Sequence, residues 1–213
     1  MVRIDGTYHC LGFLTMLRRR IHDVLSRHLE LRQLRKAAQS HRSPESPELV
    51  KVDPFKAVWR VSIPNHAPRF MSVRSGAVNH EFFVVHLDAE RFYHAWLKAS
   101  PRIPRRRGSD CICRSQMPAD YKYKWAVDGF SHGVNNPVPL AEAGAHVDTG
   151  GQLCLGFTNG VTRTFWLLAN RCPTFPVEVY GEESAQLLHQ TAGLGPGPTT
   201  LAELFSKTTL QYV

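Results

Sequence analysis

The chain of 213 residues lacks the features that mark several large classes of protein. It has no apolar run of the about 20 residues that a membrane-spanning helix needs. Its five cysteines are odd in number and irregularly spaced, and no secretory signal precedes them. We therefore expect a soluble protein of the reducing cytoplasm, without a framework of disulfide bonds.

Patterns for metal binding and catalysis are also scarce. Cys111 and Cys113 have one residue between them, whereas structural zinc sites usually have two, and no second pair follows. The two residues are either ordinary thiols or two ligands of a zinc site. In the second case the remaining ligands would come from Cys154, Cys172, His132 or His146. The histidines show no arrangement of nucleophile and base. These patterns alone predict no metal ion and no catalytic residue.

Positive charge is in excess, with a formal net charge of +8. Such a charge attracts nucleic acid, an anionic membrane face or an acidic protein surface. The bases concentrate in two clusters, which are candidate contacts for a partner protein or DNA: Arg18, Arg19 and Arg20, and Arg102, Arg105, Arg106 and Arg107. Each cluster is equally compatible with an ordinary solvated surface.

The N-terminal part of the chain predicts a long amphipathic helix. Over residues 13–40, apolar side chains recur at steps of three and four, beginning with Leu14 and Leu17. The opposite face is rich in arginine, so the helix either packs on its own domain or binds a partner, a membrane surface or nucleic acid. Serine and proline then indicate a break. We predict a helical extension at 1–42, a linker at 43–54 and a main domain at 55–213.

Local patterns predict most elements of the main domain. Residues 58–63 and 81–87 are rich in β-branched and aromatic side chains, which is typical of strands. Asp88 is a suitable N-cap for a helix that ends before Pro101. We further predict an exposed loop at 99–118, a helix at 181–192 and a short turn at 201–205.

An aromatic segment precedes a loop that is rich in glycine and proline. Tyr121, Tyr123 and Trp125 alternate with Lys122 and Lys124. Either the segment is a strand with a buried aromatic face and a solvated lysine face, or the rings stack on nucleic-acid bases while the lysines contact phosphates. The loop at 129–139 is expected to be ordered and to line a pocket.

The segment 153–180 is the most informative part of the chain. An apolar run ends at Asn159-Gly160, a dipeptide that readily adopts positive φ, and helix-permissive residues and then a β-rich run follow. This order predicts a strand, a tight turn, a helix and a second strand.

The start of that helix is a candidate anion site. Its first backbone amides lack intrahelical partners and carry partial positive charge. The hydroxyls of Thr162 and Thr164 and the guanidinium of Arg163 would suit a phosphate or carboxylate at this position. The alternative is a plain turn with Thr162 as the N-cap and a solvated Arg163.

Two blocks of sequence, 135–140 (Asn-Asn-Pro-Val-Pro-Leu) and 157–178, together resemble the plasmid fertility-inhibition factors. These are small proteins, encoded by one conjugative plasmid, that suppress the transfer of another plasmid in the same cell. The similarity covers roughly residues 55–190.

The second block is also similar to the ParB/sulfiredoxin superfamily, whose signature is an Asp-Gly turn, an arginine that opens a helix, and a short apolar strand. The resemblance implies an α+β fold, with a ParB/sulfiredoxin-like mixed sheet, flanking helices and the N-terminal basic helix as an addition. In ParB-like relatives the arginine and the turn amides hold nucleotide phosphates. Carried over to this chain, the candidate phosphate- or nucleotide-binding residues are Asn159, Gly160, Thr162, Arg163 and Thr164, and ATP is the cofactor that the resemblance suggests.

Two departures limit the implied chemistry. Sulfiredoxins have a catalytic cysteine and then a histidine where this chain has Val161 and Thr162, so the nucleophile for that reaction is missing. Asn159 occupies a position where acids often occur, and an amide is a weaker magnesium ligand than a carboxylate. Some relatives of this fold hydrolyse ATP or DNA, and several acids are available for such chemistry if folding gathers them: Asp120, Asp128, Glu142, Asp148 and Glu178.

The leading hypothesis is a plasmid-encoded inhibitor of conjugative transfer, located in the bacterial cytoplasm. The resemblance implies that it blocks the coupling ATPase of a rival plasmid's type IV secretion system by protein contact, which would bring it to the inner membrane through that partner. The alternative is a nucleotide-dependent nuclease or ATPase of ParB/sulfiredoxin fold that acts on transfer DNA. A third hypothesis is a nucleic-acid-binding protein that coats the transferred strand, with steep dependence on salt.

Overall fold

The structure is a computed structural model that describes residues 7–40, 43–76, 79–101 and 109–209; of residues 7–20, 38–40 and 207–209 we describe the backbone alone. Within these residues the helices are α1 (Thr7–Ser40), α2 (Ala89–Ala99), α3 (Tyr123–Ser131), α4 (Val161–Ala169), α5 (Glu182–Ala192) and α6 (Leu201–Thr209). The strands are β1 (Glu48–Asp53), β2 (Lys56–Val61), β3 (Arg69–Arg74), β4 (Phe82–Asp88), β5 (Val138–Pro139), β6 (Ala141–Val147), β7 (Leu153–Asn159), β8 (Thr174–Tyr180) and β9 (Thr199–Thr200). A 3₁₀ helix spans Arg114–Ala119.

The strands form two mixed sheets, and this confirms the predicted α+β class. The first sheet has the order β1-β2-β3-β5, with a parallel β3–β5 pair. The second has the order β7-β6-β8-β4-β9, in which β6 and β8 are parallel and the other neighbours antiparallel. The parallel pair at the centre of the second sheet is what brings the beginning of β6 beside β8.

The second sheet, α2 and α4 share an aromatic core. The Trp96 ring stacks on the Phe165 ring at 5.4 Å between centroids and contacts the Phe157 ring at 4.7 Å. Asp88 begins α2 as predicted, because its carboxylate accepts hydrogen bonds from the amides of Glu90 and Arg91, each at 3.0 Å. Phe157 near the end of β7 and Phe165 in α4 therefore both pack against Trp96 of α2.

Helix α1 is attached to this body through a buried arginine. Arg27 is 8% exposed, and its Nη2 donates to the backbone oxygens of Leu97 and Ser100 at the end of α2. Carbonyls at a helix end have no intrahelical donor, and a cation there also suits the negative end of the dipole. The long N-terminal helix was predicted correctly, and Arg27 explains where it docks.

The strand predicted for the aromatic segment at residue 121 is wrong. Helix α3 begins at Tyr123, and Ala126 and Phe130, one turn apart, are its buried residues. The Phe130 ring stacks on Trp166 of α4 at 4.2 Å between centroids. Alternating lysines resembled a strand pattern, but the i, i+4 apolar spacing decides the structure because it packs α3 onto α4.

Three other segments differ from their sequence interpretation. The predicted loop at 99–118 is not exposed throughout, because Cys111, Cys113 and Met117 are buried. Residues 201–205 begin α6 and are not an isolated turn. Strand β1 lies inside the segment for which a linker was predicted, where it pairs with β2. The division into domains stays a prediction.

Candidate functional site

The turn between β7 and α4 has the predicted order of strand, turn, helix and strand, and Gly160 is the residue that makes it. Gly160 has φ 95° and is the N-cap of α4, so Thr162 is not the cap. A Cβ at this position would lie 2.6 Å from Cβ and 2.7 Å from Cα of Ala141, the first residue of β6. Gly160 is therefore required twice, for its positive φ and for the close approach of two backbones.

Arg163, one turn into the helix, binds protein groups. Its Nη1 donates to the backbone oxygens of Pro139 at 2.6 Å and Leu140 at 3.0 Å, and its Nη2 donates to Oδ1 of Asn159 at 3.1 Å. Burial lowers the pKa of Arg163, while the nearby Glu142 carboxylate acts in the opposite direction. The guanidinium thus ties α4 to the segment before β6, and most of its donors are already used.

The hydroxyls at the start of α4 also have internal partners. Thr162 donates to Oδ1 of Asp120 at 3.1 Å, so a carboxylate already lies beside this helix N-terminus. Thr164 is fully buried, and its hydroxyl donates to the backbone oxygen of Gly160 at 3.1 Å. Thr164 therefore does not face an outside ligand, and an anion near Thr162 would have to displace Asp120.

A cleft of ≈ 630 Å³ opens next to the turn. Its wall includes residues 157–163, Asp120, and residues 136–139 of the predicted loop. The first residues of that predicted loop, 129–131, belong to α3. On the α3 side, Tyr121 is 72% exposed and Trp125 is 59% exposed. Lys122 holds its ammonium 5.2 Å from the Tyr121 ring centroid. On this side the cleft offers two exposed rings and the Lys122 ammonium, and Asp120 is the acid among its lining residues.

Two acids meet beside the cleft. Glu142 and Glu178 are register partners on the parallel strands β6 and β8. Strand β7 carries one extra residue at this point, which brings Asn159 opposite Glu142, and the Asn159 amide donates to Glu142 Oε1 at 3.4 Å. Burial raises the pKa of Glu178, and the neighbouring Glu142 carboxylate raises it further. Folding thus gathers two of the five acids with Asn159 and, through it, Arg163.

The other sequence candidates are placed as follows. Arg18, Arg19 and Arg20 lie in the helical backbone of α1. The second arginine cluster, Arg102, Arg105, Arg106 and Arg107, is outside the described residues. Burial raises the pKa of the Cys111 and Cys113 thiols, to about 12 for Cys113, which disfavours the thiolate that a metal needs.

The described part of the chain has neither a metal-binding cluster nor a membrane-spanning helix. Among those residues no group of three or more His, Cys, Asp or Glu side chains is placed to hold a metal ion. No helix in the described ranges is long and apolar enough to cross a membrane.

Comparison with known proteins identifies the family. Residues 84–193, from β4 to the end of α5, match the family of plasmid fertility inhibition factors (PFIN). The chain is 35% identical to protein Osa of Shigella flexneri over 168 residues, which cover 78% of this chain and 85% of Osa. The chain belongs to the plasmid fertility inhibition factors.

A solved structure extends the comparison to the fold. The crystal structure of the oncogenic suppression activity protein, a plasmid fertility inhibition factor solved as a gold(I) cyanide derivative, has a TM-score of 0.76 and 32% identity. The match covers 89% of this chain and 98% of that chain. The turn, the cleft wall at 157–163 and both glutamates lie inside the family match, while α1 precedes it. The relation to the ParB/sulfiredoxin superfamily stays a prediction.

We predict that Gly160→Ala lowers the free energy of unfolding by about 3 kcal/mol, because it combines a strained φ with a backbone clash. Gly133→Ala is the matched control. Gly133 also has positive φ, of 72°, but its Cβ would meet no atom within 4 Å, so the expected cost is about 1 kcal/mol. Urea denaturation measures both. Equal losses would mean that the contact with Ala141 is not tight.

We predict that Glu178→Gln raises stability at neutral pH. The folded-state pKa of Glu178 lies above its unfolded value, so ionisation destabilises the fold as the pH rises through the folded-state pKa. The gain should disappear below the ordinary value of 4.5. Thermal melts at pH 7 and pH 3.5 test this, with the exposed Glu45→Gln as the control. A gain that is the same at both pH values would contradict the assignment.

Proposed function

We propose that this fertility inhibition factor suppresses conjugative transfer of a co-resident plasmid by contacting the coupling ATPase of that plasmid's type IV secretion system. Family membership is the observation that carries the proposal, because fertility in this sense is the transfer of a plasmid between cells. The coupling ATPase works on the cytoplasmic side of the inner membrane, so the inhibitor would act in the bacterial cytoplasm and reach the membrane through its partner.

Inhibition by contact agrees with the chemistry of the site. Arg163, Thr162 and Asp120 have protein partners, so the turn is complete as a structural unit without a ligand. A contact inhibitor needs a complementary surface and no reactive group. The net charge of +8 favours an acidic partner surface and speeds association through long-range attraction.

We predict that the triple variant Arg105→Glu, Arg106→Glu and Arg107→Glu loses suppression of plasmid transfer. Reversal of three bases should repel an acidic partner and raise the dissociation constant for the cytoplasmic domain of the coupling ATPase by about tenfold or more. The assays are transfer frequency from donors carrying both plasmids, and direct binding at two salt concentrations.

The control for this variant reverses three exposed bases elsewhere: Lys51, Arg74 and Arg171. It makes the same change in net charge, so it separates a local contact from general attraction. If both variants suppress transfer as the wild type does, the arginine cluster has no role in the contact. If wild type fails to bind the ATPase domain, that target is wrong.

A second candidate function is nucleotide-dependent hydrolysis of transfer DNA or ATP, and one arrangement favours it. Glu142 and Glu178 are neighbours beside Asn159 and Arg163, next to a cleft with exposed rings. A carboxylate with a raised pKa is suited to proton transfer, and paired acids suit a divalent cation. Under this alternative ATP would occupy the cleft, and Arg163 would have to release backbone oxygens to reach a phosphate.

We predict for this alternative that Glu178→Gln abolishes hydrolysis and suppression together, although the folded protein is more stable. Arg163→Lys is the companion variant, since it keeps the charge and loses the two-pronged contact. Both are assayed for ATP and single-stranded DNA hydrolysis with Mg²⁺ and for transfer frequency. Full suppression by a folded Glu178→Gln protein would exclude hydrolysis from the mechanism.

A further inference from the structure

The outward side of α1 exposes a stripe of aliphatic side chains. Ile21 is 52% exposed, Val24 42%, Leu25 58% and Leu29 56%. Ile21, Leu25 and Leu29 follow one another at intervals of four, so they lie in a row one helical turn apart, with Val24 beside them. We refer to these four residues as the α1 stripe. Large aliphatic side chains that are gathered on a surface, rather than scattered singly, mark a contact site.

Both acids of the same helix bind residues of the 3₁₀ helix Arg114–Ala119. Asp23 accepts a hydrogen bond from Nε2 of Gln116 at 3.1 Å, and both carboxylate oxygens of Glu30 accept from the backbone amide of Arg114 at 3.2 Å. Asp23 and Glu30 are the two acids in the sequence of α1. Both therefore face the 3₁₀ helix, on the side where Arg27 holds the end of α2.

Bases precede and follow the α1 stripe along the sequence. The sequence of α1 has seven bases, of which Arg27 is buried. Arg32 is exposed and lies one turn after Leu29 along the α1 stripe, and Arg18, Arg19 and Arg20 precede Ile21 in the same helix. The stripe is thus bounded in sequence by bases at both ends, while Asp23, whose side chain is 53% exposed, and Glu30 both accept hydrogen bonds from the 3₁₀ helix.

We propose that the α1 stripe docks into an apolar groove with an acidic rim on a protein of the conjugation machinery. Anchors at i, i+3, i+4 and i+8 match the way in which an amphipathic helix fills a groove. The bases at the two ends would meet the acidic rim, which provides register and orientation. This inference rests on the proposed function and names the surface that it uses.

Two other occupants fit the same side of α1 less well. A second copy of the chain would bring the basic ends of two α1 helices together in either direction, because bases lie both before and after the stripe. A bilayer would need a wide apolar face with interfacial aromatic residues. Over the part of α1 whose side chains are described, residues 21–37, the exposed stripe is narrow and wholly aliphatic, and the opposite side of the helix is attached to the protein body.

The test replaces Leu25 and Leu29 by serine. Leu25→Ser with Leu29→Ser should leave the circular dichroism spectrum and melting temperature unchanged, because both side chains are more than half exposed. Transfer of the co-resident plasmid should recover by about tenfold or more, and affinity for the purified cytoplasmic domain of the coupling ATPase should fall by a similar factor. Leu25→Met with Leu29→Met keeps the apolar surface and should retain suppression.

The control is Leu49→Ser with Phe55→Ser, which removes two exposed apolar side chains from β1 and from the turn that follows it. Leu49 is 42% exposed and Phe55 is 79% exposed. Suppression equal to wild type in the Leu25/Leu29 serine variant overturns the docking proposal and leaves the proposed function standing. If the variant loses suppression but wild-type protein does not bind the ATPase domain, the target is wrong while the α1 stripe remains the contact surface.

Two further measurements decide between occupants. Flotation with vesicles that contain phosphatidylglycerol, and sedimentation of the wild-type protein, should show neither lipid binding nor a dimer that depends on Leu25. If the wild-type protein binds vesicles and the serine variant does not, the α1 stripe contacts a membrane. If the wild-type protein is a dimer and the serine variant is a monomer, the stripe contacts a second copy of the chain. Either result overturns the proposal.

Discussion

The structure around the cleft depends on the close approach of Gly160 to Ala141. A backbone-to-backbone contact at this point lets α4 begin directly beside the first residue of β6. From there Arg163, one helical turn later, reaches the backbone oxygens of Pro139 and Leu140. With any side chain at position 160, α4 would begin further from β6. The loop, the cleft wall and the two glutamates would then no longer be held in their present positions relative to one another.

Much of this region could be predicted from the sequence because its signals are local. Asn159-Gly160 marks a turn with positive φ, and Asp88 is followed by a helix whose first amides donate hydrogen bonds to its carboxylate. Such signals depend on residues within one turn of each other. The α+β class, the long N-terminal helix, and the order of strand, turn, helix and strand therefore followed from the sequence and the family resemblance together.

The rest depended on contacts between distant residues. Glu142 and Glu178 become neighbours only through the parallel β6–β8 pair, which no local pattern encodes. The strand prediction for the segment that contains α3 is wrong because the alternation of aromatic residues and lysines is typical of a strand. The helical spacing of Ala126 and Phe130, which are buried against neighbouring elements, is the signal that this alternation outweighed. That Arg163 would contact carbonyl oxygens, and Thr162 an acid, could not be predicted, since the partners lie far away in the chain.

The two surfaces differ in what a ligand must displace. An anion at the start of α4 competes with Asp120 for Thr162 and with Pro139 and Leu140 for Arg163, and each exchanged hydrogen bond gives up about 0.5–1.5 kcal/mol. A partner on the α1 stripe would displace water from aliphatic groups and would break no hydrogen bond of the protein. The contact proposed for α1 would therefore leave the described hydrogen bonds intact, whereas hydrolysis at the turn would require their rearrangement.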